Sequence, residues 1–203
     1  MLTPERRTAL LAWLRASGSV AIEDDYDAEH RYDRAAVGAL QGLAPDRVVY
    51  AGSASKVLAP ALRIGWLVVP DGLLGPVVEQ KVLSDRGSAR IDQLAFAGFL
   101  LRGDFDRHLR HHRRLYQRRR EALLDAFAQR LPELTVSGAA AGLHFVLHLP
   151  PQHDEATVVA AARARGIALD PLRATNPGLV VGYANLPEAL APAAVEALAT
   201  VLR

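Results

Sequence analysis

Six side chains capable of chemistry stand where short apolar segments of the sequence begin or end. They comprise a carboxylate, a phenol, two hydroxyls, an amine and a guanidinium: Asp24, Tyr26, Ser53, Ser55, Lys56 and Arg63. In an open α/β sheet the ligand lies at the carboxyl ends of the strands. If the apolar segments are consecutive strands of one sheet, the six groups converge on a single site.

This combination of groups suits pyridoxal 5′-phosphate (PLP). The cofactor needs an amine with which it forms a Schiff base, and Lys56 supplies one. It needs an anion beside its pyridine nitrogen, so that the ring stays an electron sink, and Asp24 is suited to that role. The two serine hydroxyls and the forked guanidinium of Arg63 are suitable phosphate donors. Tyr26 falls on the same side of an extended strand as Asp24, which places its hydroxyl near the ring oxygen.

A helix followed by three strands is predicted for the first half of the chain. Thr3-Pro4 provides a capping residue and a proline at the first helical position, and Ser17-Gly18 ends the helical pattern. The strands are expected at Ser19–Ile22, Arg47–Ala51 and Leu62–Val69. Because these strands are apolar on both faces, we expect an α/β architecture in which helices cover the sheet on each side.

Helices and short strands alternate in the second half. Helical patterns cover about residues 73–83, 91–101, 104–130, 155–165 and 187–202. Short strands are expected at about 134–137, 143–149, 167–169 and 179–184. This mixture predicts a small α+β domain that follows the first domain. The helical pattern breaks at Gly103, so we expect one domain over residues 1–103 and another over residues 104–203.

The lysine segment carries a family resemblance. Ser53-Ala-Ser-Lys56, followed by Arg63, resembles the lysine motif of fold-type I, class I/II aminotransferases. More narrowly, the sequence resembles the aminotransferase-like domain of MocR/GabR transcriptional regulators. The matching segments are Ile22–Asp33, Ala39–Leu43, Ser55–Gly65, Gly103–Arg110 and Gly142–His144. They extend over nearly the whole chain, and they are specific in combination.

The resemblance implies a fold and a set of site residues. The fold is PLP-dependent transferase-like (fold type I), with an incomplete large α/β domain and a small α+β C-terminal domain. The cofactor is PLP, with Asp24 at the pyridine nitrogen and Tyr26 near the ring oxygen. Lys56 is then the Schiff-base lysine, and Arg63 binds the phosphate.

The sequence departs from that family in two respects. It has no counterpart of the winged helix-turn-helix domain, the linker or the first half of the large domain. That half normally supplies a Gly-containing phosphate loop, an aromatic that stacks on the ring and an asparagine near the ring oxygen, so a fragment, a truncated product or a second chain is expected. Aminotransferases also bind the substrate carboxylate with an arginine about where Val180 falls. In the regulators this arginine stands slightly upstream, and Arg173 is the matching candidate.

Three functional hypotheses follow from the resemblance. The leading one is a class I/II aminotransferase that acts on amino acids or amines, in which Lys56 forms the Schiff base and moves the α-proton. The second is a non-catalytic domain that senses PLP and an amine for a MocR/GabR-type regulator. The third is an inactive truncated remnant. A homodimer is expected on the resemblance alone.

The composition limits the classes of protein to which the chain can belong. With 203 residues, of which 50% are hydrophobic and 23% charged, the chain has the composition of a folded globular protein. The absence of cysteine excludes disulfides and thiolate chemistry. There is no signal peptide and no apolar run long enough to cross a bilayer, so we expect a cytoplasmic protein. A net charge of +2 gives no argument for nucleic acid binding.

The acidic run of residues 23–27 has two interpretations. It could be a magnesium site or a solvated loop. Side chains alternate along a strand, so only Asp24 and Tyr26 are expected to face the cofactor. The other acidic residues are then expected to be structural or capping residues.

Two features of the predicted long helix also have alternative interpretations. His108, His111 and His112 could suggest zinc, but no further ligands follow at a recognisable spacing. The arginine-rich stretch 107–120 could suggest DNA binding. An apolar stripe along the same helix instead favours one buried face and one solvated face.

Overall fold

The computed structural model describes residues 2–25, 38–55, 57–138 and 142–202. Two of the predicted site residues, Tyr26 and Lys56, lie outside the described residues. The described chain divides by packing into a first unit that ends at Asp106 and a second unit that begins at Arg107. This division falls inside a continuous helix, and the predicted boundary at Gly103 stays a prediction.

Helix α1 (Pro4–Ser17) begins and ends where the sequence predicts. The Oγ1 atom of Thr3 accepts the backbone N–H of Arg6 at 3.3 Å, and Gly18 ends the helix with φ 69°. A left-handed residue at a helix end suits glycine because it has no Cβ. The small core of the first unit contains buried residues of α1 and of the segment after it: Leu11, Leu14, Leu40, Ala44 and Val48.

Three strands form the sheet of the first unit, in the order β1-β2-β3. Strand β1 covers Ala21–Asp25, β2 covers Val48–Ser53 and β3 covers Gly65–Val68. Strand β1 is parallel to β2, and β3 is antiparallel to it. The three predicted strands are therefore confirmed, with bounds shifted by a few residues.

The expectation that this sheet is covered on both faces is wrong for the described chain. On one face Val48 is fully buried and packs with the core residues of α1. On the opposite face Ile22 is 75% exposed, and Leu67 of β3 is exposed there as well. Trp66 lies on the face of Val48 and is also exposed, as is every residue of β3. The apolar sequence predicted burial on both faces of the sheet. Burial also needs a packing partner, and the described residues of this unit provide such a partner on one face only.

Two further helices belong to the first unit: α2 (Asp71–Asp85) and α3 (Arg90–Leu101). Both expose large apolar side chains, among them Ile91 at 81% and Leu101 at 88%. The ring of Phe105 meets the rings of Phe96 and Phe99 edge-on, at centroid distances of 5.5 and 6.4 Å. Such aromatic contacts stabilise the junction between α3 and the helix that follows it.

The second unit combines one antiparallel sheet with helices. Its elements are α4 (Asp104–Arg130, whose first three residues belong to the first unit), β4 (Thr135–Ser137), β5 (His144–His148), α5 (Glu155–Ala164), β6 (Asp170–Pro171), β7 (Gly178–Gly182) and α6 (Ala191–Leu202). The strand order is β4-β5-β7-β6. The larger core of the described chain lies here, and in it Phe145 stacks with Tyr183 and meets the ring of Phe127 edge-on. The hydroxyl of Tyr183 donates to the carbonyl of Gly142 at 2.5 Å.

Helix α4 has one buried face and one polar face. Leu123, Ala126 and Phe127 are buried on the apolar stripe that the sequence predicts. On the polar face, Arg118 pairs with Glu188 at 3.0 Å. Arg119, which lies in line with the apolar stripe and is half-buried, donates to the carbonyl of Ala184. Among the described residues, no helix has the length and apolar character needed to cross a bilayer.

Candidate functional site

The strand register brings three predicted site residues to one end of the first sheet. Asp24 lies opposite Ala51, two residues before Ser53, in the parallel pair of β1 and β2. Ser53 lies opposite Gly65, the first residue of antiparallel β3. Arg63 precedes Gly65 by two residues. Because β3 begins where β1 and β2 end, Asp24, Ser53 and Arg63 share this end of the sheet.

Two carboxylates of the acidic run have structural partners. Glu23 accepts the backbone N–H groups of Leu40 at 2.8 Å and Gln41 at 3.0 Å. Asp25 accepts the hydroxyl of Tyr50 at 3.2 Å. Through charge-assisted bonds of this kind, Glu23 fixes the backbone at Leu40 and Gln41, and Asp25 fixes the side chain of Tyr50 on β2. Glu23 and Asp25 thus hold the fold at this end of the sheet.

The carboxylate between them has a different environment. Asp24 is exposed, on the same face of β1 as Ile22. No other described residue forms a hydrogen bond or an ion pair with its carboxylate, whereas its backbone belongs to the β1–β2 pair. The alternation that the sequence predicts for residues 23–25 is therefore present, and it leaves Asp24 free to meet a ligand.

The backbone on either side of position 56 forms a tight turn. The N–H of Ala54 donates to the carbonyl of Ile64 at 2.9 Å, which extends the pairing of β2 and β3 by one residue. The carbonyl of Ala54 accepts the N–H groups of Val57 at 3.3 Å and Leu58 at 2.9 Å. Both Ala54 and Val57 are buried. Lys56 itself lies outside the described residues.

The two predicted serines stand at the start of this turn. The hydroxyl oxygen of Ser53 accepts the backbone N–H of Ser55 at 3.1 Å. Both serines are half-buried. The bond draws the two residues together at the end of β2, and it leaves the hydrogens of both hydroxyls available for an anion.

Arg63 occupies an unusual backbone conformation. It ends the short 3-10 turn Pro60–Leu62 with φ 50°, in the left-handed region. This region costs an L-residue other than glycine about 1–2 kcal/mol. Its side chain is exposed and lines a groove of about 870 Å³ together with Trp66, Asp92 and Phe96. No described residue forms an ion pair with its guanidinium.

Arg173 belongs to the second unit, in the loop between β6 and β7. It also has a left-handed backbone, with φ 56°, and its side chain is exposed. Its N–H donates to the carboxylate of Glu155 at 3.1 Å. Of the three described residues other than glycine with positive φ, two are therefore predicted anion-binding arginines, and Arg86 at the end of α2 is the third.

Two residues that shape these sites were missed by sequence reasoning. Glu155 stands in the first turn of α5, where an acidic residue is typical because it complements the helix dipole. Nothing in the pattern signals its contact with a loop about twenty residues later. Trp66 packs over Gly52, and a lone glycine inside a strand is the available signal for such close contact.

The histidines of α4 form a ring cluster. The rings of His108 and His112 stack with centroids 3.9 Å apart, and the ring of His111 meets that of His112 edge-on at 5.4 Å. The Nδ1 atom of His112 lies 3.1 Å from the carbonyl oxygen of His108. Burial lowers the pKa of His112 from its ordinary value of 6.5. The part of the chain that the structure describes contains no group of three metal-ligating side chains placed to share an ion.

Solved structures define the fold. The α-aminoadipate aminotransferase LysN of Thermus thermophilus, solved with N-(5′-phosphopyridoxyl)-L-leucine, superposes with a TM-score of 0.89 at 26% identity and covers 98% of this chain and 54% of its own. The kynurenine aminotransferase of Pyrococcus horikoshii, solved with PMP, has the same TM-score at 25% identity and covers 100% and 52%. The chain therefore has the α/β fold of the PLP-dependent aminotransferases, of which it spans about half.

Sequence relatives are of two kinds. The HTH-type transcriptional regulator YhdI of Bacillus subtilis is 34% identical over 196 residues, which are 93% of this chain and 42% of the relative. The probable rhizopine catabolism regulatory protein MocR of Rhizobium meliloti is 32% identical over 196 residues, which are 92% of this chain and 39% of the relative. The 2-aminoadipate transaminase of Thermus thermophilus is 31% identical over 155 residues, which are 73% of this chain and 39% of the relative. The sequence matches no protein-family model.

The expected family resemblance is confirmed. The chain belongs with the aminotransferase-like region that MocR/GabR-type regulators share with class I/II aminotransferases. It spans about two fifths of the length of the curated relatives it matches.

Proposed function

We propose that this chain provides the lysine-bearing part of a PLP site that serves transamination of amino acids or amines. The observation that carries the proposal is the order of charges across the end of the first sheet. Strand β1 bears the exposed carboxylate of Asp24, β2 leads into the segment that contains Lys56, and β3 follows Arg63. Anion, amine and cation thus belong to three successive strands.

The spacing of the outer charges fits the cofactor. Strands β1 and β3 flank β2, so they are separated by two strand spacings, or roughly 10 Å. PLP carries its pyridine nitrogen and its phosphate at separate ends and needs an anion for one and a cation for the other. Neither Asp24 nor Arg63 has an ionic partner among the described residues. A ligand that bears both charges would satisfy both side chains.

Each side chain has one task in this proposal. Asp24 keeps the pyridine nitrogen protonated, and Tyr26 donates to the ring oxygen. Ser53, Ser55 and Arg63 hold the phosphate. When bound, PLP acts as an electron sink for the bond that breaks at the substrate α-carbon.

Lys56 and Arg173 complete the proposed set. The Nζ atom of Lys56 would hold the cofactor covalently and, once the substrate amine has displaced it, would be free to take the proton from the substrate α-carbon. Arg173 binds the substrate carboxylate through its guanidinium. A homodimer, which follows from the resemblance to regulators and transaminases, and a cytoplasmic location belong to the same proposal.

A second candidate function rests on the regulator relatives. YhdI is named an HTH-type transcriptional regulator and MocR a probable regulatory protein, and most of this chain matches each of them. The same PLP site could then report the presence of an amine to a DNA-binding module, without turnover. The two functions share the cofactor site and differ in whether bound amine is converted.

The sequence offers a sharp test because it contains two lysines, Lys56 and Lys81. Lys81 is engaged by Asp85 and donates to Ser88 at 2.7 Å, so Lys81→Ala is the matched control for Lys56→Ala. With added PLP, we expect a visible absorption band in the wild type and in Lys81→Ala, and no band in Lys56→Ala. Borohydride reduction and peptide mapping should then find the cofactor on residue 56. A wild type without the band contradicts the proposal.

A half-reaction separates the enzyme from the sensor. The PLP-loaded chain is mixed with single amino acids, and the corresponding keto acid is measured. Keto acid in stoichiometric amounts supports transamination. A spectral change on amino acid addition without keto acid supports the sensor.

A further inference from the structure

We infer that Glu155 is a positioning residue, whose carboxylate clamps the loop between β6 and β7 and so fixes Arg173 for a ligand carboxylate. The inference deepens the proposed function and rests on it, since that function assigns the carboxylate contact to Arg173. It concerns a residue that does not itself touch the ligand. Its effect passes through the backbone of the loop.

The clamp uses both oxygens of one carboxylate. The Oε2 atom of Glu155 accepts the N–H of Arg173 at 3.1 Å, and its Oε1 atom accepts the N–H of Gly178 at 2.7 Å. These two N–H groups stand near opposite ends of the loop. A main-chain bond from the N–H of Leu172 to the carbonyl of Gly178, at 2.9 Å, closes the same loop at its base. Glu155 therefore ties both arms of the loop to the start of α5.

The loop depends on this tie because its tip makes little other contact. Residues 173–176 are exposed, whereas Glu155 is half-buried and Gly178 is buried. At Gly178 an added Cβ would lie 3.0 Å from Cδ2 of Leu172 and 3.2 Å from the carbonyl oxygen of Leu147. The base of the loop is thus tightly packed, and the arm that carries Arg173 is held mainly by hydrogen bonds.

The backbone of Arg173 makes the tie more significant. A left-handed φ of 56° is unfavourable for arginine, and such a conformation persists only where the surroundings enforce it. The bond to Glu155 is the described contact that enforces it. This bond goes to the N–H of Arg173 and leaves the guanidinium without a partner among the described residues. Glu155 therefore orients the arginine without neutralising it.

Two ligands that differ in a single carboxylate show whether Glu155 acts through Arg173 or only stabilises the fold. L-leucine and 3-methylbutylamine differ by one carboxylate, and leucine is the amino acid part of the ligand in the LysN structure. Their dissociation constants are measured by spectroscopic titration of the PLP-loaded chain. We expect Glu155→Gln to weaken leucine binding about tenfold and amine binding less than about twofold, since one of the two backbone bonds is lost. Glu133→Gln, at an exposed acidic residue of the same unit, should change neither.

A double-mutant cycle tests whether the effect of Glu155 on leucine binding passes through Arg173. Arg173→Gln should cause the same selective loss for leucine, and adding Glu155→Gln to it should cause no further loss, because the positioned group is already gone. Equal losses for both ligands, additive losses, or unchanged leucine binding in Glu155→Gln would overturn the inference. A wild type that binds neither ligand contradicts the proposed function and the inference together.

Amide hydrogen exchange supplies a readout without cofactor. In Glu155→Gln at least one of the amides of Arg173 and Gly178 should exchange faster than in the wild type, because the single remaining oxygen cannot hold both, while those of β5 keep their protection. Unchanged exchange at both amides would overturn the clamp. If Glu155→Gln does not fold, Glu155→Asp is the second variant, because its shorter side chain keeps the charge but cannot reach both N–H groups.

Discussion

The indole ring of Trp66 packs directly against the α-carbon of Gly52. The two residues lie opposite each other in the pair of β2 and β3. A Cβ added to Gly52 would lie 2.4 Å from both Cε2 and Nε1 of Trp66, far inside van der Waals contact. Gly52 immediately precedes the serine and lysine segment, so the contact fixes the backbone from which that segment departs.

Substitution of Gly52 should therefore displace Trp66. We expect Gly52→Ala to destabilise the first unit by about 1–3 kcal/mol, the usual range for overpacking. In a Trp13→Phe background Trp66 is the remaining tryptophan, and its emission should shift toward that of a solvated indole. Gly42→Ala is the matched control, since nothing lies within 4 Å of its added Cβ. Unchanged emission in Gly52→Ala would contradict the contact.

Glu23 and Asp24 should respond differently to loss of charge. Glu23→Gln keeps one oxygen for two N–H groups, so we expect a loss of about 1–3 kcal/mol in the free energy of unfolding. Asp24→Asn should change stability by less than about 0.5 kcal/mol because the side chain is exposed. Urea unfolding measures both. PLP titration should show the reverse order, with the larger loss of affinity in Asp24→Asn, and an equal loss in both variants would contradict the assignment.

Arg63 should discriminate between phosphorylated and unphosphorylated cofactor. A charge-assisted bond to phosphate contributes roughly 1.5–3 kcal/mol, so Arg63→Gln should weaken PLP binding about 10- to 100-fold. Binding of pyridoxal, which has no phosphate, should change little. Arg86→Gln is the control because Arg86 is also exposed and left-handed. Parallel losses for PLP and pyridoxal would place the effect of Arg63 outside the phosphate contact.

The histidine cluster of α4 should make stability fall in mild acid. Burial is the main cause that lowers the pKa of His112, and the nearby charges of His108, His111 and Arg119 act in the same direction, against the opposing bond to the carbonyl of His108. The unfolded chain therefore binds this proton more readily than the folded chain. The stability that neutral His112 contributes to the folded chain is fully present above pH 6.5, its ordinary pKa. This contribution decreases as the pH falls below 6.5 toward the lowered pKa.

Urea unfolding at about pH 7.5 and about pH 5.5 measures this effect. His112→Phe keeps an aromatic ring beside Tyr116 and removes the titrating group. We expect it to reduce the loss of stability between the two pH values. If the wild type and His112→Phe lose the same free energy, another group accounts for the pH dependence.

The sequence predicted those elements whose signals are local. Helix α4 was predicted with the observed bounds, because a sustained apolar stripe begins after Gly103 and ends before Leu131-Pro132. The third strand of the second unit, predicted at residues 167–169, is instead the two-residue β6 at Asp170–Pro171. Its pairing with β7 decides its position, and pairing depends on a partner that periodicity does not reveal.

The site was predictable where alternation and strand order determine it. These two rules separated Asp24 from Glu23 and brought Arg63 to the sheet end that also carries Ser53. The left-handed arginines and the clamp by Glu155 were not predictable, since they depend on tertiary contacts that leave no spacing signal. The roles of Tyr26 and Lys56 stay predictions.

The left-handed arginines have a consequence for protein engineering. Glycine fits this backbone region without the cost that arginine bears, so Arg63→Gly and Arg173→Gly would count as improvements in a selection for heat resistance. Such a selection would discard the two groups proposed to hold anionic ligands. Arg86, which ends α2, allows the same gain outside the proposed site. A thermostabilised variant for crystallography should therefore carry glycine at position 86 and keep arginine at the other two.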